Sequence, residues 1–264
     1  MSIVPLIIGH RGASAHAPEN TLAAFQMAIA AGADGIEFDV QLSRDGVPMV
    51  IHDATLERTG GRPEAVADLT ADELASVDAG SWFGPKFRGE RIPTLSEVLE
   101  LCRGMRRIYI ELKVNVPDFA PLAAAVCDTI RSSPDLPQMI VKSFRLGAIP
   151  LVRQSLPEVQ TAALFEPTIL DYLRRRKFML ALAREFGAHQ ISIHHSLITR
   201  KLTRLADEVQ MPVTVWTTDN PKWVRRAQAR GIAALITNDP KRLLRERASL
   251  TAEGLARAST TRTS

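Results

Sequence analysis

Short apolar runs alternate with amphipathic stretches of helical period along almost the whole chain. The runs read as strands at Ile3–Gly9, Gly35–Val40, Met49–His52, Ile108–Lys113, Met139–Phe144, Gln160–Phe165, Gln190–His194, Pro212–Thr217 and Ala234–Thr237. Helices are expected between most of them, over Thr21–Ala31, Thr94–Cys102, Asp118–Ser132, Leu146–Leu156, Ile169–Phe186, Leu197–Val209, Pro221–Arg230 and Pro240–Ala248. The first shows the pattern: Leu22, Phe25 and Ile29 share one face, and Gly32 stops the helix. A strand followed by a helix, repeated many times, buries parallel strands inside a layer of helices.

Nine strands are one too many for an eight-stranded barrel. The stretch VQLSRDGVPMVIHD resolves the count, because Asp45-Gly46 reads as a two-residue hairpin turn. Met49–His52 is then the antiparallel return of the second strand, with Arg44 opposite Val47 and Asp39 opposite His52. Eight parallel strands remain. The expected fold is α/β, a (β/α)8 TIM barrel, in a single domain over residues 1–250. A small insertion follows the hairpin over about residues 54–92, with LTADELASVDAG helical and SWFGPKFRGERIP a loop. The tail of residues 251–264 reads as disordered.

The 264 residues are 45% hydrophobic, enough for a large core. Lys and Arg number 33 against 29 Asp and Glu, a net charge of +4. That balance suits small anions. With aromatics at 5% it falls short of a nucleic-acid signature. Cys102 and Cys127 lie far apart and read as buried free thiols of a reducing compartment. No apolar window reaches the ~20 residues that span a bilayer. A cytoplasmic protein with no stable membrane insertion is expected; oligomeric state is not legible.

Barrel active sites lie at the carboxyl ends of the strands. His10 and Arg11 end the first strand between two glycines. Glu37 and Asp39 end the second, two apart and so on one face, with Ile36, Phe38 and Val40 on the other. Glu111 and Lys113 end the next barrel strand with the same spacing. Three converging carboxylates repel each other strongly unless a cation sits among them. Oxygen ligands without cysteine select one hard divalent cation, Mg²⁺, Ca²⁺ or Mn²⁺. His10 and His52 beside it suit acid–base chemistry near neutral pH. Arg11 and Lys113 supply positive charge for a phosphoryl group. Taken singly, each has a plain alternative: His10 a core histidine, His52 a turn residue, Lys113 a surface lysine, Trp216 a core side chain. The basic runs RRRK at 174–177 and RR at 225–226 read as solvated helix faces.

The segments GHRGASAHAPENTLAAF, GADGIEFDVQLSRDGVPMVIHD, ERTGG, GSWFGPKFRGERIPTLSEVL and IELK resemble the glycerophosphodiester phosphodiesterase family. The resemblance is strong over residues 6–113 and looser over 190–240. It implies a TIM barrel, one divalent cation (Mg²⁺ or Ca²⁺) and hydrolysis of small glycerophosphodiesters to sn-glycerol 3-phosphate and an alcohol. It further implies Glu37, Asp39 and Glu111 as metal ligands, His10 and His52 as the acid–base pair, and Arg11 and Lys113 on the phosphate. Trp216 is expected to wall the substrate side. Two departures stand out. Arg145 follows Ser143-Phe144 where the family has an acid, and Asp219 stands in Trp-Thr-x-Asp where the family has Asn; both are expected on the alcohol side. Rival readings are a lysophospholipase D using the same site, a metal-dependent aldolase, and a non-catalytic phospholipid-binding barrel.

Overall fold

The structure is a computed structural model that describes residues 4–113, 118–167 and 176–260. Eight parallel strands close into a barrel: β1 (Leu6–His10), β2 (Gly35–Leu42), β4 (Arg107–Leu112), β5 (Met139–Ser143), β6 (Gln160–Phe165), β7 (Gln190–His194), β8 (Val213–Trp216) and β9 (Ala234–Thr237). Each pairs with the next, and β1 bonds to both β2 and β9. The short β3 (Pro48–Val50) pairs antiparallel to β2 outside the closed ring. Helices pack around the barrel, among them Leu22–Ala30, Leu95–Leu101, Ala120–Ile130, Ala148–Ser155, Arg200–Glu208 and Lys222–Arg230. Of the helix expected over Ile169–Phe186, Arg176–Glu185 is described; residues 168–175 lie outside the described residues. The last helix runs Pro240–Thr260, past the point where a tail was expected, and residues 261–264 lie outside the described residues.

Helix starts follow local chemistry. Thr21 and Thr94 sit extended at two N-termini, and each accepts a backbone N–H in the first turn; Glu97 completes a capping box with Thr94. Strand alternation then sorts the side chains. Ile36, Phe38, Val40, Ile108 and Ile110 point outward and pack with Phe25, Leu95 and Val98 of the helices. Ile8, Tyr109, Ile140, Ala162 and Ile236 fill the barrel interior. Each fully buried Ile or Phe contributes about 1.5–3 kcal/mol. No helix among the described residues is long and apolar enough to cross a membrane.

The hairpin departs from the expected register. Val40 pairs with Val50, Gln41 with Met49 and Leu42 with Pro48. Ser43 N–H donates to Val47 O, and Gly46 N–H to Ser43 O, both at 3.0 Å. Arg44, Asp45 and Gly46 therefore form a three-residue loop closed by Gly46 at φ +80°. A two-residue turn would need positive φ at Asp45 as well. Instead the Asp45 carboxylate accepts from Ser43 Oγ (2.6 Å) and Ala71 N–H (2.9 Å), which ties the turn to the insertion. The one-residue shift puts Ile51, not His52, opposite Asp39: Ile51 N–H donates to Asp39 O at 3.0 Å.

Met49 and Ile51 turn to the insertion, whose own small core includes Leu56, Val66, Leu74 and Val77. The expected helix there is short, Ala71–Ala75, and the following loop contains one helical turn at Pro85–Phe87.

A Cβ added at Gly46 meets no atom within 4 Å, so only the backbone conformation opposes a side chain. Gly46→Ala is expected to cost about 1–2 kcal/mol, read as a lower urea midpoint with an unchanged m-value. An unchanged midpoint would contradict the loop geometry described.

Candidate active site

Parallel register assembles the site. His10 lies beside Glu37, Asp39 beside Glu111, and Glu111 beside Lys142. Alternation turns all of these toward the barrel axis at its carboxyl end. Each of Glu37, Asp39 and Glu111 offers a carboxylate oxygen, and those oxygens lie within 4.8 Å of one another. All three residues are buried.

Such a cluster survives only with compensation. Lys142, itself buried, lies 2.7 Å from Glu37 Oε1 and 3.6 Å from Glu111 Oε2. Lys113 Nζ lies 3.0 Å from Glu111 Oε1 and 3.8 Å from Asp39 Oδ1. Arg11 Nε is 3.1 Å from Asp39 Oδ2, an ionic contact without hydrogen-bond alignment. Asn20 Nδ2 donates to the same oxygen at 2.9 Å. Burial opposes charge on Asp39, but Arg11, Lys113, His52 and Asn20 outweigh it and hold this carboxyl well below the usual range. Glu111 goes the other way. Burial and then the Asp39 charge push its carboxyl up, and Lys142 and Lys113 offset this only in part. Burial works against charge on Lys142 too, yet Glu37 and Glu111 raise its ammonium above the ordinary value. The carboxylates, all oxygen donors crowded within 4.8 Å of one another, are of the kind that fits a hard divalent cation.

The glycines around His10-Arg11 have a local cause. Gly12 sits at φ +87°, and a Cβ on it would fall 2.5 Å from the Ala24 carbonyl carbon. Without a side chain there, the helix Leu22–Ala30 packs directly on the loop. Arg11 itself adopts φ +54°, with its N–H donating to Glu37 O at 2.7 Å.

His52 reaches the site by a different route from strand pairing. Past β3 the chain bends, and Gln41 Nε2 holds it by donating to His52 O (2.9 Å) and to Asp53 O. His52 Nε2 then lies 3.0 Å from Lys113 Nζ, and its Nδ1 2.6 Å from Asp53 Oδ1. Burial disfavours the Asp53 charge, but Arg58 and His52 bond to it and hold its carboxyl below the usual range. Arg58 also donates to Glu19, and Glu19 accepts from Arg11 at 2.7 Å. A continuous chain of charged contacts thus joins His52 to Arg11.

His10, Arg11, Glu37, His52, Glu111 and Lys113 line one cavity of about 390 Å³ with Lys142, Phe144, Glu166 and Trp216. Trp216 meets Phe144 edge-on at 5.7 Å and His194 at 5.2 Å. Every site residue expected from the sequence lines this cavity or, for Asp39, lies among the carboxylates on its floor. Arg145 is exposed and does not line it. Asp219 lies behind His10, bonded to Asn238. Lys142, Glu166, Asn20, Asp53 and Asn238 were not anticipated. Lys142 carried a signal: a lysine two residues after Ile140 in an apolar strand must share the interior face. Asn20 and Asn238 come from loops, where no periodicity points.

Fold and site together define a (β/α)8-barrel enzyme with a buried three-carboxylate cluster at its strand ends. The sequence profile of the glycerophosphoryl diester phosphodiesterase family matches residues 10–242. YhdW of Bacillus subtilis (strain 168) is 36% identical over 240 residues, covering 91% of this chain and 97% of that protein. A glycerophosphodiester phosphodiesterase of Caldanaerobacter subterraneus subsp. tengcongensis is 34% identical over 240 residues, covering 90% and 96%. Among solved structures, an Oleispira antarctica phosphodiesterase in complex with the product sn-glycerol-3-phosphate superposes with a TM-score of 0.83. It is 26% identical, with 92% of this chain and 96% of that one covered. The chain belongs to the glycerophosphoryl diester phosphodiesterase family.

A cation held by Glu37, Asp39 and Glu111 would compete with a proton at the raised Glu111 carboxyl. Mg²⁺ or Ca²⁺ affinity is expected to weaken as pH falls from neutral, because Glu111 protonates before an ordinary carboxyl does. Binding should release a proton on the acid side, visible by titration calorimetry in buffers of differing ionisation enthalpy. Proton-independent binding from pH 8 to pH 5 would refute this. Lys142→Met should lower cation-free stability by about 3 kcal/mol or more, since it strands buried carboxylates, and added Mg²⁺ should recover part of the loss. A melting temperature like that of the wild type would remove Lys142 from the charge balance.

Proposed function

We propose that this protein hydrolyses glycerophosphodiesters to sn-glycerol 3-phosphate and an alcohol. The observation that carries the proposal is the meeting, in one cavity, of a three-carboxylate cluster with two imidazoles and the cations of Arg11 and Lys113. Glu37, Asp39 and Glu111 would hold one divalent cation, Mg²⁺ or Ca²⁺. When bound, that ion supplies positive charge for a non-bridging phosphate oxygen. Arg11 and Lys113 orient the phosphodiester. One of His10 and His52 takes the proton of the attacking hydroxyl as the new P–O bond forms; the other protonates the alcohol oxygen as its P–O bond breaks. The attacking hydroxyl is that of water or the 2-hydroxyl of the glycerol, and only the second route passes through a cyclic phosphate. Trp216 and Phe144 wall the rest of the cavity. The barrel and its insertion act as one unit over residues 1–250.

Small, deacylated diesters are the favoured substrates over lysophospholipids. Among the described residues, the exposed large apolar side chains Val4, Met27, Trp82, Phe178 and Val209 stand on separate elements and form no lipid track. A cytoplasmic setting agrees with the free, buried Cys102 and Cys127, whose thiols burial pushes up to about 12 and about 11.

The deciding experiment is glycerol 3-phosphate release from a panel of glycerophosphodiesters with Mg²⁺, Ca²⁺ or chelator. EDTA is expected to abolish turnover and a divalent cation to restore it; full activity in excess EDTA would end the cation proposal. His52→Asn and His10→Asn should each lower kcat by roughly 10²–10⁴-fold with cation affinity retained. Loss of the cation from His52→Asn would make this histidine a ligand instead. Deacylated diesters should exceed lysophosphatidylcholine in kcat/KM; the reverse order would favour the lysophospholipase D reading.

A further inference from the structure

We infer that Asp219 is a positioning residue that fixes the tautomer of His10 through Asn238. The side chain of Asn238 stands between them. An asparagine amide is nearly symmetric in shape, with an acceptor oxygen on one side and a donor NH₂ on the other. Its orientation decides which hydrogen bond His10 can make, and only its neighbours choose the orientation.

Asp219 makes that choice. Its Oδ1 accepts from Thr237 Oγ (2.9 Å) and from the Asn238 backbone N–H (2.8 Å). Its Oδ2 accepts from Asn238 Nδ2 at 2.8 Å. A carboxylate only accepts, so the amide NH₂ must face Asp219. Asn238 Oδ1 is thereby turned to the opposite side, 2.6 Å from His10 Nδ1, and Ser14 Oγ donates to the same oxygen at 2.9 Å. An amide oxygen cannot donate. His10 Nδ1 therefore carries the proton of the neutral ring, and Nε2 keeps its lone pair. Nε2 is the nitrogen on the side of the reacting groups, 3.9 Å from Glu37 Oε2. A ring so fixed is set to receive a proton at Nε2 rather than to donate one.

This also accounts for the departure at position 219. An asparagine there would set its NH₂ against the NH₂ of Asn238. The conflict is relieved by flipping Asn238, which turns a donor toward His10 Nδ1 and forces the proton to Nε2. Aspartate at 219 and asparagine at 238 go together.

The kinetic arm of the test rests on the proposed hydrolysis; the spectroscopic arm does not. Long-range ¹H–¹⁵N spectra of histidine-labelled full-length protein, at a pH where the imidazoles are neutral, report the tautomer directly. His10 is assigned by its loss in His10→Asn. Wild type should show His10 protonated at Nδ1. Asp219→Asn is isosteric and keeps the oxygen that anchors Thr237 and the Asn238 backbone, so it should fold. It should shift His10 toward the Nε2–H form and lower kcat by roughly 10²-fold, with KM little changed. The exchange D219N/N238D swaps the two groups: the amide, now at position 219, donates to the carboxylate at position 238, which again accepts from His10 Nδ1. It should restore both the tautomer and most of kcat. Wild-type His10 protonated at Nε2 would overturn the inference. So would Asp219→Asn with the wild-type tautomer, whatever its rate, or an exchange variant that regains neither property. If Asp219→Asn fails to fold, the wild-type and exchange-variant tautomers still decide. If wild type hydrolyses no diester, the proposed function fails while the tautomer measurements stand.

Discussion

Three carboxylates buried within 4.8 Å of one another are the arrangement around which the rest of the barrel mouth is organised. Such a group is unstable by itself: burial raises the cost of each charge, and each charge raises the cost of the others. Lys142 answers Glu37, Lys113 answers Glu111, and Arg11 with Asn20 answers Asp39. The opposite displacements of Asp39 and Glu111 show how uneven the answer is. Burial leaves Glu111 the least well compensated of the three, and on the proposed function a divalent cation completes the balance. On the proposed function, two of the cations that balance the carboxylates, Arg11 and Lys113, also hold the phosphodiester.

The insertion matters to the site through charge as well as packing. Arg58, from the start of the insertion, bonds to both Asp53 and Glu19. It thereby links His52 to the loop that carries Arg11. Its guanidinium also lies 5.8 Å from the Trp82 ring, further along the insertion. The side chains proposed to handle protons and phosphate are held from behind by partners whose own positions are set by packing. On the other side of the mouth, Asp219, Asn238 and Ser14 do the same for His10. The two histidines differ in the partner at Nδ1, a carboxylate for His52 and an amide oxygen for His10.

Much of the fold was legible because alternation is a local property. Apolar residues at period two and at helical period sort themselves onto faces whatever the tertiary arrangement, so Glu37, Asp39 and Glu111 were readable as inward-facing strand ends. The same logic extended to Lys142 would have found it. The hairpin route to His52 was incorrect, although the family resemblance named the same residue. Asp45-Gly46 suggested a two-residue turn, whereas the bond from Ala71 N–H to Asp45 and the left-handed Gly46 make a three-residue loop. The histidine enters the cavity because the chain bends after β3 and Gln41 holds that bend.

What the sequence determined by itself was therefore the order of the barrel strands and main helices, the face each barrel-strand residue occupies and, through its long motifs, the family. Those follow from periodicity and from residues adjacent in the chain. Only the tertiary structure decided which charges answer one another and which way the amide of Asn238 points. Lys142 meets Glu37 across the barrel interior, two strands away, and Asp219 meets His10 through Asn238 at the rim, across more than a hundred residues of chain in each case. Hydrogen-bond direction and electrostatic balance depend on distances of 2.6–3.8 Å, and closure of the barrel, not local pattern, sets distances of that kind.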